Sequence, residues 1–490
     1  MKVRIRSDFR REFYAQVRAL NIQFAQWVHK ELAADRSVDL TPGVIDYNSY
    51  ISTLEDRYLR VPGAVLTFGS GDCNQLGLGT EDADKNVPRP RIVPFLRKER
   101  VAMVACGGLH NVVCTMEGRV FTWGCNDDGA LGRLTKNEEE ETCAGEVVMR
   151  GEVIRQVAAG DCQSLAVTLS GKVYAWGCHK DKEGKQWQTP LPREGPKTAK
   201  RKQETPMVVV SLDRVAEVRC CASANVALRQ DGSLWSWGIG ESSELGRPAC
   251  DLKMKVRQAD GEYEDVYDFK NIVKDHLTPG PMYAQGTSTP VHQKFGAFKA
   301  IGCGAYHALA VTAAGARVFT CGLNNYGQLG TGDTDNREFL TEVTALDGWA
   351  VSSVTGGTHH SLALCATGAV LAFGRSDYGQ LGSSEVDKGA GGSEPLPRLV
   401  DVPKAAGKPV KIASGANHSL CITDACGVYT WGYSDEGALG HGSEGQDVWL
   451  PKAIDFAKAG AEVAGMRVVD ADGGGSHSAI VGVLQAARRG

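Results

Sequence analysis

One short pattern returns seven times along this chain and limits what it can fold into. Gly118 to Arg133, GRVFTWGCNDDGALGR, shows it whole. Val120-Phe121-Thr122-Trp123 is β-branched and aromatic and reads as a strand; Gly124 stops it, Asn126-Asp127-Asp128-Gly129 is turn chemistry, and Leu131-Gly132 closes the turn with an apolar plug. The other copies begin at Val65, Val173, Leu234, Val318, Val370 and Val428, and all but the one at Val173 end in Leu-Gly.

A second pattern, a Gly-x-x-His turn entering an apolar strand, alternates with the first. It falls at Gly107–His110, Gly160–Gln163, Cys221–Ala224, Gly304–His307, Gly357–His360, Gly415–His418 and Gly474–His477, with the histidine replaced in the second and third. Strand-rich units recurring at about 50 residues point to an all-β, seven-bladed β-propeller, because each small sheet must bury its faces against its neighbours. The chain opens on one half-repeat and finishes on the other. The strand at Val65 should therefore pair with the segment Val468 to Val483 and close the ring, leaving no open radial edge.

The 59 glycines suit a chain of repeated tight turns, and a net charge of −4 argues against a surface that coats nucleic acid throughout. Fifteen cysteines, no Cys-x-x-Cys pair and no signal peptide point to free thiols in a reducing compartment, without a zinc site. No apolar run is long enough to cross a bilayer, and no phosphate-binding loop, metalloprotease helix or nucleophile elbow is present. No metal, cofactor or covalent catalysis is expected. The repeated histidines are read as ties between neighbouring strands, since every blade would otherwise carry the same catalyst.

Residues 1–60 precede the propeller, which is assigned to 61–486. Phe9, Phe13, Val17, Leu20, Phe24, Trp27, Val28 and Leu32 recur at helical spacing. This helix either docks on the propeller or, through Arg4, Arg6, Arg10 and Arg11, forms a basic arm for DNA or an import receptor. Insertions are expected at 179–205, 247–294 and 383–397, the last flexible. The first ends in Lys197, Lys200, Arg201 and Lys202, either a nuclear import signal or a solvated loop; Lys253, Lys255 and Arg257 in the second are further basic candidates.

The alternation of V-x-x-W-G…N-x-x-G-x-L-G with C-G-G-x-H-x-x-x-L resembles the regulator of chromosome condensation repeat family, from about Ala64 to Val483. The strings VLTFGSGDCNQLGLG (65–79) and WGCNDDGALGR (123–133), and the absence of a further domain, resemble its chromatin-bound branch, the guanine nucleotide exchange factors for the small GTPase Ran. That resemblance implies a nuclear, monomeric protein that uses no membrane and binds Ran, nucleosome or DNA, and importin. It implies a β-wedge at Lys180, Asp181, Lys182, Glu183 and Gly184, and a GTPase-binding face of Asp72, His110, Asp127, Asp128, Asp161, His307, His360 and His477. Ser223 stands where the family carries an acid. A scaffold of the same fold without exchange activity is the alternative.

Overall fold

The computed structural model describes residues 63–82, 85–188, 201–258, 262–386, 388–442 and 445–483. Seven four-stranded antiparallel sheets follow from the seven repeats. Numbered by their strand-Gly segments, blade 1 combines Ala64–Gly69 and Val87–Ile92 with Arg467–Gly473 and His477–Val483. The three inner strands of blades 2 to 4 run through 101–124, 154–177 and 215–238, and those of blades 5 to 7 through 298–322, 351–375 and 409–432. The ring closes as the half-repeats require: Ala64 pairs with Gly482 and Phe68 with Ser478.

The strand-stopping glycine is required by conformation. Gly69, Gly124, Gly177, Gly238, Gly322, Gly374 and Gly432 all have φ between 87° and 115°, in the region L side chains avoid. The glycine opening the Gly-x-x-His turn is required by space: a Cβ on Gly107 would collide with the His110 imidazole and the Gly160 carbonyl of the next blade.

Packing explains why the blades come as a set. The main apolar cores lie between blades. Val65 and Val481 of blade 1 pack with Val104, Val113 and Trp123 of blade 2, and the other six joints have equivalent clusters. A fully buried Leu, Val or Phe contributes roughly 1.5–3 kcal/mol, so an isolated blade would lose most of its core. The Leu-Gly plug serves the joint as well. Leu131 is buried, and the Trp176 indole of blade 3 donates to the carbonyl of Ala130 at 2.8 Å.

Three differences from the sequence reading concern the insertions. Each holds all or part of the outer strand of its blade: Gln203–Val208, Gly280–Pro281 and Ser393–Leu399. Part of the segment expected to be flexible, 383–397, is therefore sheet. Alternating prolines and polar residues hide such edge strands from a period-two pattern. The N-terminal helix expected in residues 1–60 lies outside the described residues.

Candidate functional site

The Gly-x-x-His turns gather together, and their backbones bond from blade to blade around a full circle. Gly108 N–H donates to Gly160 O, Asp161 to Ala222 O, Ala222 to Ala305 O and Ala305 to Gly357 O. Thr358 to Ala416 O, Ala416 to Gly474 O and Gly475 to Gly108 O complete it, at 2.8 to 3.3 Å. This crown fixes where each turn side chain stands.

The histidines lie behind the crown, inside the joints. His110 Nε2 meets Ser164 Oγ of blade 3 at 2.8 Å, and that hydroxyl donates to Ala130 O of blade 2. His307 meets Ser361, His360 meets Ser419 and His418 meets Ser478 at 2.8 to 2.9 Å, each hydroxyl donating back to the preceding blade. His477 meets Asn111 Oδ1 at 3.0 Å, and the Asn111 amide donates to Gln75 O. Burial lowers these imidazoles to about 4 (His110, His418) or about 3 (His307, His360, His477), so they are neutral. The expectation that His110, His307, His360 and His477 contribute side chains to a binding face is thereby corrected: each is at most 1% exposed. The expected tie is there, but it runs through a side chain of the next blade, which a strand pattern alone does not show.

The carboxylates divide differently. Asp72 and Asp127 occupy equivalent turn positions and are exposed. Asp161 stands on the crown, exposed but hemmed in by protein; burial raises its carboxyl, against the pull of Lys180. Asp128 is half-buried between blades. Burial opposes its ionisation, but Lys180 Nζ at 2.6 Å and the Gln186 amide at 2.7 Å outweigh it and hold the carboxyl below its ordinary value.

The segment expected as a wedge is a ribbon, His179–Lys180 paired with Gln186–Trp187, rising beside Asp128 and Asp161. Its turn exposes Lys182, Glu183 and Gly184, the last with φ 78° and open space around it. Asp181 is the exception among the residues of the expected wedge. It is buried, and its carboxylate accepts from the backbone of Glu183 and Lys185 and from the Trp187 indole at 2.9 to 3.0 Å. It shapes the turn from within. Ser223 has a task at this place: its Oγ accepts the N–H of Lys180 at 3.1 Å.

The sequence reading missed an aromatic strip on the same turns in blades 5 to 7. Tyr306 and Tyr326 lie tilted beside His359 at 6.0 and 5.0 Å, the Arg375 guanidinium lies over Tyr326 and Tyr378 at 4.9 and 4.7 Å, and Tyr378 meets Tyr433 of blade 7 edge-on at 5.1 Å. The Asn-Asn-Tyr-Gly and Ser-Asp-Tyr-Gly turns carried the signal, since tyrosine is not a turn former. Lys202 reaches Asp127 O at 3.2 Å and pairs with Glu204, and Arg201 is exposed. Arg4, Arg6, Arg10, Arg11, Lys197 and Lys200 lie outside the described residues. Among the described residues, no three His, Cys, Asp or Glu side chains are grouped to hold a metal ion.

Comparison with known proteins agrees with this architecture. Residues 64–480 match the model of the RCC1-like domain. The regulator of chromosome condensation of Xenopus laevis is 32% identical over 425 residues, covering 86% of this chain and 90% of that protein. Guanine nucleotide exchange factor SRM1 of Saccharomyces cerevisiae is 27% identical, covering 81% and 83%. The crystal structure of Prp20p from Saccharomyces cerevisiae, whose binding to Gsp1p and histones is described with it, superposes with a TM-score of 0.73 at 26% identity, covering 87% of this chain and 93% of that one.

Proposed function

Because this chain belongs to the RCC1-like domain family, we propose that it is a guanine nucleotide exchange factor for the small GTPase Ran, acting in the nucleus on chromatin. The observation that carries this reading is the ribbon 179–187, held upright between blades 2 and 4 beside Asp128 and Asp161. Its exposed tip, Lys182, Glu183 and Gly184, is shaped to press into a partner while the crown stays fixed.

The mechanism needs no covalent step. A GTPase holds its nucleotide through contacts to phosphate and Mg²⁺. A wedge that binds best to the conformation lacking those contacts raises the population of that conformation, and nucleotide leaves. By linkage, exchange factor and nucleotide weaken each other's binding to the GTPase by the same factor. Whichever nucleotide is more abundant then refills the site, so exchange is accelerated without being directed. Asp72, Asp127 and Asp161, with Asp128 behind them, give the blade 1 to 3 side of this face a negative field. The Tyr and Arg strip of blades 5 to 7 supplies the aromatic and guanidinium anchors on which protein interfaces concentrate their affinity.

The chromatin and import parts of the proposal rest on Arg201 and Lys202 and on the basic positions of residues 1–60 and 197–200. The relatives' names and the histone binding described for Prp20p support the chromatin part.

The deciding experiment is release of a fluorescent GDP analogue from Ran with substoichiometric amounts of this protein. Acceleration over many turnovers is expected. No acceleration would overturn the exchange reading and leave a propeller scaffold, to be pursued through its bound partners.

A further inference from the structure

The wedge is too small to hold its own shape. Two residues pair with two, and an isolated hairpin is marginal even when longer. What holds it comes from far along the chain. Trp187, closing the ribbon, is buried with Ile239 of blade 4 and with Leu252, Ile272 and Leu277 of the blade 4 insertion. This apolar cluster is separate from the seven inter-blade cores.

Above the cluster the insertion folds as a second ribbon, Lys253–Arg257 with Tyr263–Tyr267, followed by a short helix from Phe269. The single Tyr267 Oη proton is shared between Glu183 Oε2 at 2.8 Å and Asp181 Oδ2 at 3.2 Å, and Lys253 pairs with Glu183. The Lys185 ammonium sits among three rings, 3.4 Å from the centroid of Tyr267, 4.5 Å from Trp187 and 4.8 Å from Phe269. Two of those rings belong to the insertion and one to the wedge, so the cation joins the two segments by cation–π attraction.

We propose that the blade 4 insertion is a clamp that holds the wedge in one conformation before any partner arrives, with Tyr267 and Lys185 as its positioning residues. Its use in exchange rests on the exchange reading above. A wedge already ordered does not have to lose conformational freedom when it presses on the GTPase, so the clamp acts on the rate of nucleotide release more than on encounter. The clamp reaches the base of the wedge at Asp181 and Lys185 and the tip at Glu183, and the exposed face of Lys182 to Gly184 is left to touch the partner.

The test uses the full chain with Tyr267→Ala, Tyr267→Phe, Lys185→Gln and Lys185→Arg. Amide hydrogen exchange of 180–187 is read beside that of the ring strand 360–365, and nucleotide release is measured as separate kcat and KM. In Tyr267→Ala and Lys185→Gln the wedge amides should lose protection while the ring strand keeps its own. Their kcat should fall on the order of tenfold or more with KM little changed. Lys185→Arg keeps a cation among the rings and should restore most of both, and Tyr267→Phe, which keeps the ring, should fall between. Wedge amides as protected in Tyr267→Ala as in the parent would overturn the clamp. Unprotected wedge amides with an undiminished kcat would overturn its role in exchange. A parent chain that releases no nucleotide overturns the exchange reading alone, because the amide comparison decides the clamp independently.

Discussion

Five of the seven joints carry one fastening and the two flanking blade 4 do not. Between blades 5 and 6, 6 and 7, 7 and 1, 1 and 2, and 2 and 3, a buried imidazole reaches a side chain of the next blade that bonds back across the joint. Between blades 3 and 4 the position is Gln163, whose amide donates to Cys221 O at 3.1 Å. Between blades 4 and 5 it is Ala224, which has nothing to donate. The ribbon 179–187 and the long insertion stand in this same sector, and they pack on each other through Trp187 and Tyr267. The stapled arc is a repeated frame; the blade 4 sector has given up part of the repeat and built its own cluster instead.

The contrast should be most visible in acid. The five staple histidines titrate at about 3 to 4 when folded, below their ordinary value of 6.5. Their contribution to stability is therefore complete above pH 6.5 and is lost as pH falls toward 4. Between those values each imidazole changes the unfolding free energy by up to about 1.4 kcal/mol per pH unit. Urea unfolding followed from pH 7 to pH 5 should show a steep loss, and His360→Gln, which copies the blade 3 solution, should make it shallower. A slope unchanged by that substitution would break the comparison.

Next in size is His360→Ala at pH 7. It removes a buried hydrogen bond and leaves a cavity, and should cost on the order of 2–4 kcal/mol in denaturant unfolding. Ala224→Ser, in the unstapled joint, should change stability by much less. Equal effects at the two positions would mean that the joints are fastened alike.

A smaller effect, of the opposite sign, is expected from Glu244→Gln in blade 4. Burial raises this carboxyl to about 7, whereas the equivalent turns of blades 1, 5 and 6 carry Gln75, Gln328 and Gln380. A raised carboxyl means a penalty that is absent below its ordinary value of 4.5 and complete above pH 7. The substitution should stabilise the protein by roughly 1–3 kcal/mol at pH 8 and by little at pH 5. Destabilisation at pH 8 would show that the carboxylate has a role in that sector.

The smallest stability effect belongs to Asp161→Ala. No side-chain hydrogen bond to its carboxylate is found among the described residues, so melting should move by less than about 0.5 kcal/mol while nucleotide release from Ran slows. A sharp fall in melting temperature with normal release would return Asp161 to the frame.

How much of this was legible before folding depends on the region. Val65 to Gly69 and His477 to Val483 were recognisable as halves of one blade because each lacked its partner half. The glycines were recognisable because each turn returns at a fixed place. The histidines were legible as structural residues but not as staples, since Ser164, Ser361, Ser419 and Ser478 look like ordinary strand residues until the next blade packs against them. The missing Leu-Gly of blade 3 marked the place where the ribbon 179–187 leaves the repeat. That Asp181 would turn inward was not visible, because its partners include Tyr267, 86 residues away.

The sequence by itself determined the ring: seven repeats, their closure, and the glycine at every strand end. These follow from local backbone conformation and from periodic burial, which a chain states in its own order. Only the tertiary structure decided which carboxylates face outward, that Ser223 accepts from Lys180 at the foot of the ribbon, and that the blade 4 insertion packs against it. Those outcomes depend on contacts between segments far apart in the chain, and no periodicity carries them.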